Sequence, residues 1–358
     1  MQNISRKKVL ISPLDWGLGH TTRCVTIVRT LLDNDMIVIV ACNTEQKTLL
    51  QQEFTNIEFI ELKGYNITYS KNYKLFPLKL LIQLPKIFLR IIKEHRWLQK
   101  AIDKHSIDVV ISDNRYGLYS NKIPCIFITH QLTIKAPFAW QEYVLQQINY
   151  SFINRFSQCW VPDFEGENNI AGILSHPQKL PNIPVHYIGP LARFLKDATV
   201  QIRYQVCIIL SGPEPQRTIL EDIILQQLLA IPENCLLVRG KVDADPIKTS
   251  RPNVTIKNHL KGADLQAVIQ ASEIVIARSG YTSVMELLAL QKKSILIPTP
   301  GQTEQEYLAK QLMQQQWAWC IDQKDFNLVN VLKQSSNFNY RLPDISTDLL
   351  SNFIKKIL

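Results

Sequence analysis

Short apolar runs alternate with segments of helical periodicity along most of the chain, which is the pattern of an alternating α/β protein. The sequence predicts the strands of the first half at residues 8–13, 36–42, 57–62, 107–112, 124–129 and 159–162. A glycine turn and a helix at 21–32 follow the first strand, and helical segments separate later strands. Because helical connections return the chain to the same end of a sheet, we expect a mainly parallel sheet.

The pattern of strand, turn and helix begins again in the second half of the chain. Strands are predicted at 206–210, 235–239, 254–258, 273–277 and 294–300, and helices at 216–229, at 265–272 and from 282 onward. Residues 182–194 contain the last strand of the first half and lead into a linker at 196–203. We therefore expect two Rossmann-like domains, 1–195 and 196–358.

Composition agrees with two ordinary α/β domains. The chain has 358 residues, and its 46% of apolar residues are ample for two cores. Seven cysteines are scattered through apolar runs without any C-x-x-C pair, so we interpret them as reduced core residues of a cytosolic protein. No apolar run reaches about 18 residues, so we expect no membrane span. The N-terminus fits a first strand better than a signal peptide.

Most of the positive charge lies in one segment, 71–104, where nine Lys and Arg residues face two acidic residues, giving +7 of the formal net charge of +9. On a helix, four of the cations form one stripe, namely Lys79, Lys86, Arg90 and Lys93. Pro85 is expected to start a second helix or to kink the first. The pattern favours docking on an anionic membrane surface, with a solvated helix face as the open alternative. Without a binding motif, nucleic acid is discounted.

Candidate chemistry concentrates in residues 273–311. A strand breaks at Arg278-Ser279-Gly280 and a helix follows, so the backbone N–H groups at Ser279 and Gly280 point to a phosphate. Glu286 lies one to two turns into that helix, where a carboxylate can accept hydrogen bonds from a sugar diol. The alternative is a capped helix with a solvated carboxylate.

An earlier loop has similar features. Ser211 and Gly212 form a sharp turn before a helix, and with Arg217 they could hold a diphosphate. A surface arginine is an equal alternative for Arg217.

The arrangement R-S-G, five residues, then E, followed across a strand by Gln305 and Glu306, resembles the donor-site signature of glycosyltransferase family 28. The loop before the first helix, G-x-G-H at 17–20, also resembles that family. The resemblance implies the GT-B architecture, in which two Rossmann-like domains face a central cleft and the final segment, 347–358, crosses back to the first domain. It implies a donor site for a nucleotide diphosphate sugar, with Gln305 and Glu306 at the sugar and Glu286 at the ribose.

The resemblance also places the first loop under the acceptor. His20, whose ring can accept a proton near neutral pH, is the candidate base, with a cap of the following helix as the alternative. Two predicted strands end in polar loops with Asp113, a second candidate base, and His130, and either side chain could instead tie its loop to the backbone. The acceptor-side residues are Gly17, Gly19, Thr21 and His130. The donor diphosphate is held by Ser211, Gly212, Ser279 and Gly280. The leaving diphosphate is stabilised by backbone amides and Arg278 rather than by a metal.

We therefore expect a metal-independent hexosyltransferase that uses a UDP-sugar as co-substrate, needs no cofactor and transfers the sugar to an acceptor hydroxyl, such as that of a lipid or lipid-linked acceptor at the membrane surface. Two alternatives stay open. A nucleotide-sugar 2-epimerase can share the fold, and a non-catalytic nucleotide-sugar-binding subunit would keep the phosphate loops. We expect a cytoplasmic location, with peripheral attachment to the inner face of the membrane if the basic segment binds lipid.

Overall fold

The computed structural model describes residues 6–67, 76–136, 138–242, 244–345 and 349–357, with the side chains of the helix that begins at 76 described from residue 82. The chain divides into two compact units. The first contains the described residues 6–67, 77–193 and 349–357, and the second contains 194–345.

The first unit is built on a seven-stranded parallel sheet. Its strands are β1 (Lys8–Pro13), β2 (Ile37–Cys42), β3 (Glu58–Glu61), β4 (Val109–Asp113), β5 (Cys125–Ile128), β6 (Gln158–Val161) and β7 (Val185–Tyr187). The order across the sheet is β3-β2-β1-β4-β5-β6-β7. The connecting helices are α1 (Leu18–Asp33), α2 (Thr44–Gln51), α3 (Phe76–His105) and α4 (Ala139–Ile153).

Consecutive residues of the central strands are buried, which requires both faces of the sheet to be covered. Val9, Leu10 and Ile11 of β1 have no exposed surface. Leu10 lies opposite Ile39 of β2 and Val110 of β4 in the parallel register. The uninterrupted apolar runs of the sequence are therefore the strands of this sheet.

The second unit repeats the plan with a six-stranded parallel sheet in the order β10-β9-β8-β11-β12-β13. Its strands are β8 (Tyr204–Ile209), β9 (Cys235–Val238), β10 (Val254–Lys257), β11 (Ser272–Ala277), β12 (Lys293–Leu296) and β13 (Trp319–Cys320). Its helices are α5 (Gln216–Gln227), α6 (Gly262–Gln270), α7 (Tyr281–Ala289), α8 (Thr303–Gln314) and α9 (Leu328–Ser336).

The last helix, α10 (Leu349–Ile357), belongs to the first unit. The ring of Phe353 packs edge-on against Trp160 of β6, with centroids 5.3 Å apart, and lies 5.1 Å from the ring of His186 in β7. Ile354 is fully buried.

Two predicted elements are wrong in detail. The helix expected at 265–272 begins earlier and ends earlier, because Ser272 already pairs with Tyr204 as the first residue of β11. Pro85 starts no second helix and lies inside the single helix α3, so of the two expectations for it only the kink stays a prediction.

The basic segment falls partly outside the described residues, since these omit 71–75 and the side chains of Lys79 and Leu81. None of the helices in the described part of the chain is both long enough and apolar enough to cross a membrane. All seven cysteines are free, and six of them are buried.

Candidate functional site

In each unit the predicted site residues lie at the carboxyl edge of the parallel sheet, where loops leave the strands. In the first unit, β1, β4 and β5 are neighbours. His20 lies in the first turn of α1, which follows β1, while β4 ends at Asp113 and His130 follows β5. The strand order therefore brings together three side chains that are far apart in sequence.

His20 and Asp113, which the sequence offers as alternative bases, are in direct contact. The Nδ1 atom of His20 lies 3.0 Å from the Oδ2 atom of Asp113. Asp113 has no exposed side-chain surface, whereas 18% of the His20 side chain is exposed. The imidazole therefore lies between a buried carboxylate and the surface, which is the arrangement of a base oriented by an acid.

Arg23 completes this cluster, although the sequence analysis does not single it out. Its Nε atom donates to Asp113 Oδ2 at 2.9 Å, and its Nη2 atom donates to the other carboxylate oxygen, Oδ1. Nη2 also lies 2.9 Å from His20 Nδ1, and Nη1 lies 3.2 Å from the Nδ1 atom of His130. The spacing of three residues between His20 and Arg23 on a helix is the signal that could have identified it.

The protonation states follow from these contacts. Burial alone would raise the pKa of Asp113, but the Arg23 guanidinium and the His20 ring hold it well below its usual range. Burial lowers the pKa of His20, the Asp113 carboxylate opposes this, and Arg23 adds to the lowering. Near neutral pH the pair is therefore a carboxylate beside a neutral imidazole, which can accept a proton.

Gly17, Gly19 and Thr21 have structural contacts at the start of α1. Gly17 precedes α1 with φ of 114°, a backbone conformation that favours glycine, and no atom lies within 4 Å of where its Cβ would be. Thr21 is fully buried, and its hydroxyl accepts a hydrogen bond from Gln46 of α2 at 3.1 Å. Gly19 accepts one from Thr22 at 3.0 Å. The side chain of Thr21 thus anchors the helix.

In the second unit, β8, β11 and β12 are neighbours, and their carboxyl ends bring three loops together. A Cβ on Gly212, in the first loop, would lie 4.0 Å from the Oγ1 atom of Thr299 in the third. A Cβ on Gly280, in the second loop, would lie 4.0 Å from Nε2 of Gln305. Ser279 donates its hydroxyl to the backbone carbonyl of Gln305 at 2.9 Å. These contacts place the predicted donor residues side by side.

Gln305 and Glu306 hold their own loop in this structure. Gln305 accepts a hydrogen bond from the backbone N–H of Thr299 at 2.9 Å and donates to Gln302 at 2.6 Å. Glu306 accepts one from the N–H of Gly301 at 2.9 Å. Each side chain can form further hydrogen bonds beside these contacts, because an amide or carboxylate oxygen has two lone pairs and the amide nitrogen has two N–H donors.

Three further polar groups are enclosed at this edge. Glu286, in α7, is 7% exposed. Ser211 is half-buried at the end of β8. Thr299 is 2% exposed, and its hydroxyl has no hydrogen-bond partner within the described ranges. A buried hydroxyl without a partner is costly, so Thr299 is a residue that a bound ligand could satisfy. No sequence pattern marks it.

Arg278 is a buried cation surrounded by neutral oxygens. Its guanidinium donates to the carbonyls of Pro298 and Gln216 at 3.2 and 2.8 Å and to the side-chain oxygen of Gln323 at 2.7 Å. Among the residues that the structure describes, no carboxylate forms an ion pair with it. Burial lowers the pKa of Arg278 to about 10, so it stays charged at neutral pH. The uncompensated charge lies directly before the Ser279-Gly280 loop.

Arg217 has a different environment. It is 6% exposed and donates to Glu214, to Glu221 and, at 3.1 Å, to the carbonyl of Arg239. Glu221 also pairs with Lys241 at 2.7 Å. This ion-pair network occupies the guanidinium that the sequence offered for the diphosphate. In the described part of the chain, no group of three or more His, Cys, Asp or Glu side chains is arranged to hold a metal ion.

The fold is found in solved glycosyltransferases. The structure of the kitacinnamycin glycotransferase superposes with a TM-score of 0.67 at 13% identity, covering 98% of this chain and 93% of that one. The structure of Acinetobacter baumannii MurG gives a TM-score of 0.55 at 14% identity, covering 97% and 94%. The chain therefore has the GT-B glycosyltransferase fold, as predicted.

Sequence comparison specifies the family. Residues 212–356 match the glycosyltransferase family 28 C-terminal domain. The predicted resemblance to family 28 is therefore confirmed for this part of the chain.

Full-length relatives point the same way. An Exiguobacterium protein named UDP-N-acetylglucosamine–N-acetylmuramyl-(pentapeptide) pyrophosphoryl-undecaprenol N-acetylglucosamine transferase is 27% identical over 223 residues, 58% of this chain and 58% of that protein. The protein of the same name from Buchnera aphidicola of Schizaphis graminum is 23% identical over 353 residues, covering 94% and 90%. The chain is thus similar to the Exiguobacterium protein over 58% of that protein's length and to the Buchnera protein over 90%.

Proposed function

We propose that the protein transfers a sugar from a UDP-sugar to an acceptor hydroxyl. The observation that carries this proposal is the meeting of three loops at the carboxyl edge of the second sheet, within a family 28 domain. The similar Exiguobacterium and Buchnera proteins are named as transferases of N-acetylglucosamine from a UDP donor, which supports a UDP-sugar here.

The donor diphosphate is proposed to bind at Ser211, Gly212, Ser279 and Gly280. Gly280 is the residue before α7 and gives no side-chain cap, so the positive end of the helix dipole lies at this loop, where it favours a phosphate. Glu286 is proposed to accept hydrogen bonds from the ribose. Gln305 and Glu306 are proposed to bind sugar hydroxyls through the hydrogen-bonding capacity that their loop contacts leave. The unpartnered hydroxyl of Thr299 is a further candidate donor to this ligand.

Arg278 is proposed to act on the leaving group electrostatically, without touching it. Its buried charge has only neutral partners in the described ranges, and in a low-dielectric environment such a charge acts over several ångströms. A developing negative charge on the departing UDP would be stabilised by it and by the N-terminus of α7. We therefore propose transfer without a metal ion.

The base of the reaction is proposed to be His20, with Asp113 as its partner. In the tautomer that donates from Nδ1 to Asp113, the Nε2 lone pair can take the proton of the acceptor hydroxyl. As that proton moves to Nε2, the acceptor oxygen forms a bond to C1 of the sugar. The bond between C1 and the diphosphate oxygen breaks, and its electron pair leaves with UDP. Asp113 stabilises the imidazolium.

Attachment to an anionic lipid surface is proposed through α3 and α4, and the acceptor would then be a lipid or lipid-linked hydroxyl. Exposed large apolar side chains are Ile82, Phe88, Leu89 and Ile92 on α3, with Phe138, Trp140, Tyr143, Val144 and Ile148 at or on α4. The rings of Phe88 and Phe152 are 6.0 Å apart, so the two helices are neighbours. Of the exposed cations on α3, Lys86, Lys93 and Arg96 lie among or next to these apolar residues. Apolar side chains with a basic rim suit the interface of an anionic bilayer.

The deciding experiment is calorimetric titration of the full chain with UDP and a panel of nucleotide diphosphate sugars, first without and then with magnesium. We expect UDP to bind without the metal. If no nucleotide binds under either condition, the transferase proposal is wrong, and so is the epimerase alternative.

A further inference from the structure

Arg23 is a buried cation. The proposed steps of sugar transfer do not use it directly. It lies three residues after His20, in the second turn of α1, and only 1% of its side chain is exposed. The guanidinium reaches Asp113 of β4 and His130, which follows β5. It thus connects the helix to the ends of two strands at the point where His20 lies.

The planar guanidinium of Arg23 fixes the position of the Asp113 carboxylate. Nε and Nη2 of Arg23 donate to the two different oxygens of Asp113, a bidentate arrangement that defines the plane and rotamer of the carboxylate. The Oδ2 oxygen held in this way is the one that lies 3.0 Å from His20 Nδ1. The orientation of the imidazole therefore depends on Arg23 through Asp113.

The same guanidinium also lies beside the imidazole itself. Nη2 is 2.9 Å from His20 Nδ1, yet both Arg23 and a protonated Nδ1 are donors. When Nδ1 carries its proton toward Asp113, this contact is an approach of a cation to the ring rather than a hydrogen bond. A cation at that distance disfavours a second proton on the imidazole.

We propose that Arg23 is the positioning residue of the His20–Asp113 pair, which fixes the carboxylate and keeps the imidazole in the neutral form that can accept a proton. The use of that imidazole as a base rests on the proposed transferase function. The protonation state of His20 does not, and it can be measured without any substrate.

The charged and titratable groups that act on the ring come from α1, β4 and the segment after β5, and their effects oppose one another. Asp113, from β4, favours a protonated ring, while Arg23, on α1 itself, and His130, after β5, oppose it. Cys24 lies 3.8 Å from Asp113 Oδ2, and burial raises the pKa of its thiol well above the usual value, so it contributes no charge. Arg23 is thus the permanent cation that balances the carboxylate.

The test is a histidine titration by NMR on the full chain, with ¹³C-labelled histidine and the His20 signal assigned by its loss in His20→Gln. In the unmodified protein we expect His20 to titrate below its ordinary value, which is about 6.5. Arg23→Gln removes the charge but keeps an amide donor, and we expect it to raise the pKa of His20 by roughly one unit. Arg23→Lys keeps the charge, so its shift should be smaller.

Arg29→Gln is the matched control, because Arg29 lies on the same helix with 49% of its side chain exposed. It should leave the His20 titration unchanged. An unchanged pKa in folded Arg23→Gln would overturn the proposal. If that variant does not fold, the unmodified protein decides, since a His20 pKa at or above the ordinary value would also overturn it.

A kinetic measurement separates this inference from the proposed function. With UDP-sugar and an acceptor, Arg23→Gln should move the acidic limb of the kcat/KM profile to higher pH by the same amount as the NMR shift. A purely structural role would lower the plateau and leave the limb in place, which would count against the proposal. If the protein neither binds UDP nor transfers sugar, the transferase proposal fails while the NMR result stands.

Discussion

Asp113 receives hydrogen bonds from side chains that precede it by 90 and 93 residues, and each contact changes the chemistry of the others. The carboxylate is paired with Arg23 and oriented toward His20, so we expect its charge to serve both stability and the proposed proton transfer. If Asp113 were buried without these partners, its carboxyl group would be protonated and neutral. At the scale of single residues, the candidate base is therefore a property of three side chains together.

The lowered pKa of Asp113 makes a prediction about stability against pH. A carboxylate whose pKa is lower in the folded than in the unfolded chain stabilises the fold above its unfolded pKa, about 3.9, and this contribution is lost as the pH falls below it. Asp113→Asn should thus lower the free energy of unfolding at pH 7 by about 3 to 5 kcal/mol, since it leaves Arg23 unpaired.

Urea denaturation at pH 7 and pH 3 measures this effect. The difference between Asp113→Asn and the unmodified protein should be smaller at pH 3. Asp103→Asn is the control, because the side chain of Asp103 is 68% exposed and should have little effect at either pH. Equal differences at both pH values would contradict the assigned direction of the pKa shift.

His20→Ala tests the base directly. General-base catalysis contributes about 10²- to 10⁴-fold, so transfer should fall by that factor. UDP affinity should be unchanged, since the donor residues lie in the other unit. Steady-state kinetics and calorimetry on the same preparation check both expectations. Turnover close to normal would remove His20 as the base.

At the scale of elements, the carboxyl ends of strands and the starts of the helices that follow them determine what each loop can do. Helix α7 begins directly after the loop of Ser279 and Gly280 and contains Glu286, so one element presents both the proposed phosphate site and a carboxylate. Helix α3 instead presents an exposed side with apolar and basic residues. The proposed roles of α7 and α3 are therefore tested by separate variants.

For α7, Glu286→Ala and the isosteric Glu286→Gln should both weaken UDP binding by roughly 10- to 100-fold, the value of hydrogen bonds to a charged group. Circular dichroism should show an unchanged fold. Glu273→Ala, an exposed carboxylate in β11, is the control and should bind UDP normally. Unchanged affinity in Glu286→Gln and Glu286→Ala would rule out the ribose contact.

For α3, we expect reversal of three exposed cations, Lys86, Lys93 and Arg96, to glutamate to abolish binding to phosphatidylglycerol vesicles. Each cation near an anionic surface contributes about 1 kcal/mol, so their loss alone lowers affinity by more than about 100-fold. The half-buried Arg90 is left intact.

The control is a triple variant in the second unit, in which the exposed Lys248, Lys257 and Lys261 are reversed to glutamate. It changes the net charge of the protein by the same amount. Vesicle cosedimentation compares the two triple variants. If both bind as the unmodified protein does, or both lose binding equally, the basic side of α3 is not a docking surface.

At the scale of the whole molecule, the chain forms two sheets but returns at its end to the first. Helix α10 buries Ile354 and places Phe353 against Trp160, although about 190 residues separate it from β6. The first unit is therefore completed only by the last residues of the chain.

Ile354→Ala should destabilise the first unit by about 2 to 5 kcal/mol, the usual cost of this truncation in a core. Hydrogen exchange should show faster exchange in β6 and β7, with the strands of the second sheet unaffected. Asn352→Ala, an exposed position on the same helix, is the control. Equal protection of β6 in both variants would show that α10 does not stabilise this unit.

The sequence predicts an element well where local pattern determines it and poorly where tertiary contacts do. Apolar runs predicted β1 residue for residue and most other strands within a residue or two, because burial in a parallel sheet demands such runs. The boundary between α6 and β11 was misplaced, since pairing with β8 already begins at Ser272. The two-residue strand β13 carries too short a pattern to be recognised.

The sequence by itself determined the two α/β sheets, the family resemblance and the loops in which function is expected, because these depend on local pattern and spacing. Only the tertiary structure decided that His20 and Asp113 are partners rather than alternatives and that Arg23 joins them. It also showed that Arg217 is occupied by an ion-pair network, whereas Arg278 has only neutral partners among the described residues. The physical reason is that contacts between loops depend on strand order and on burial, which distant parts of the chain produce together.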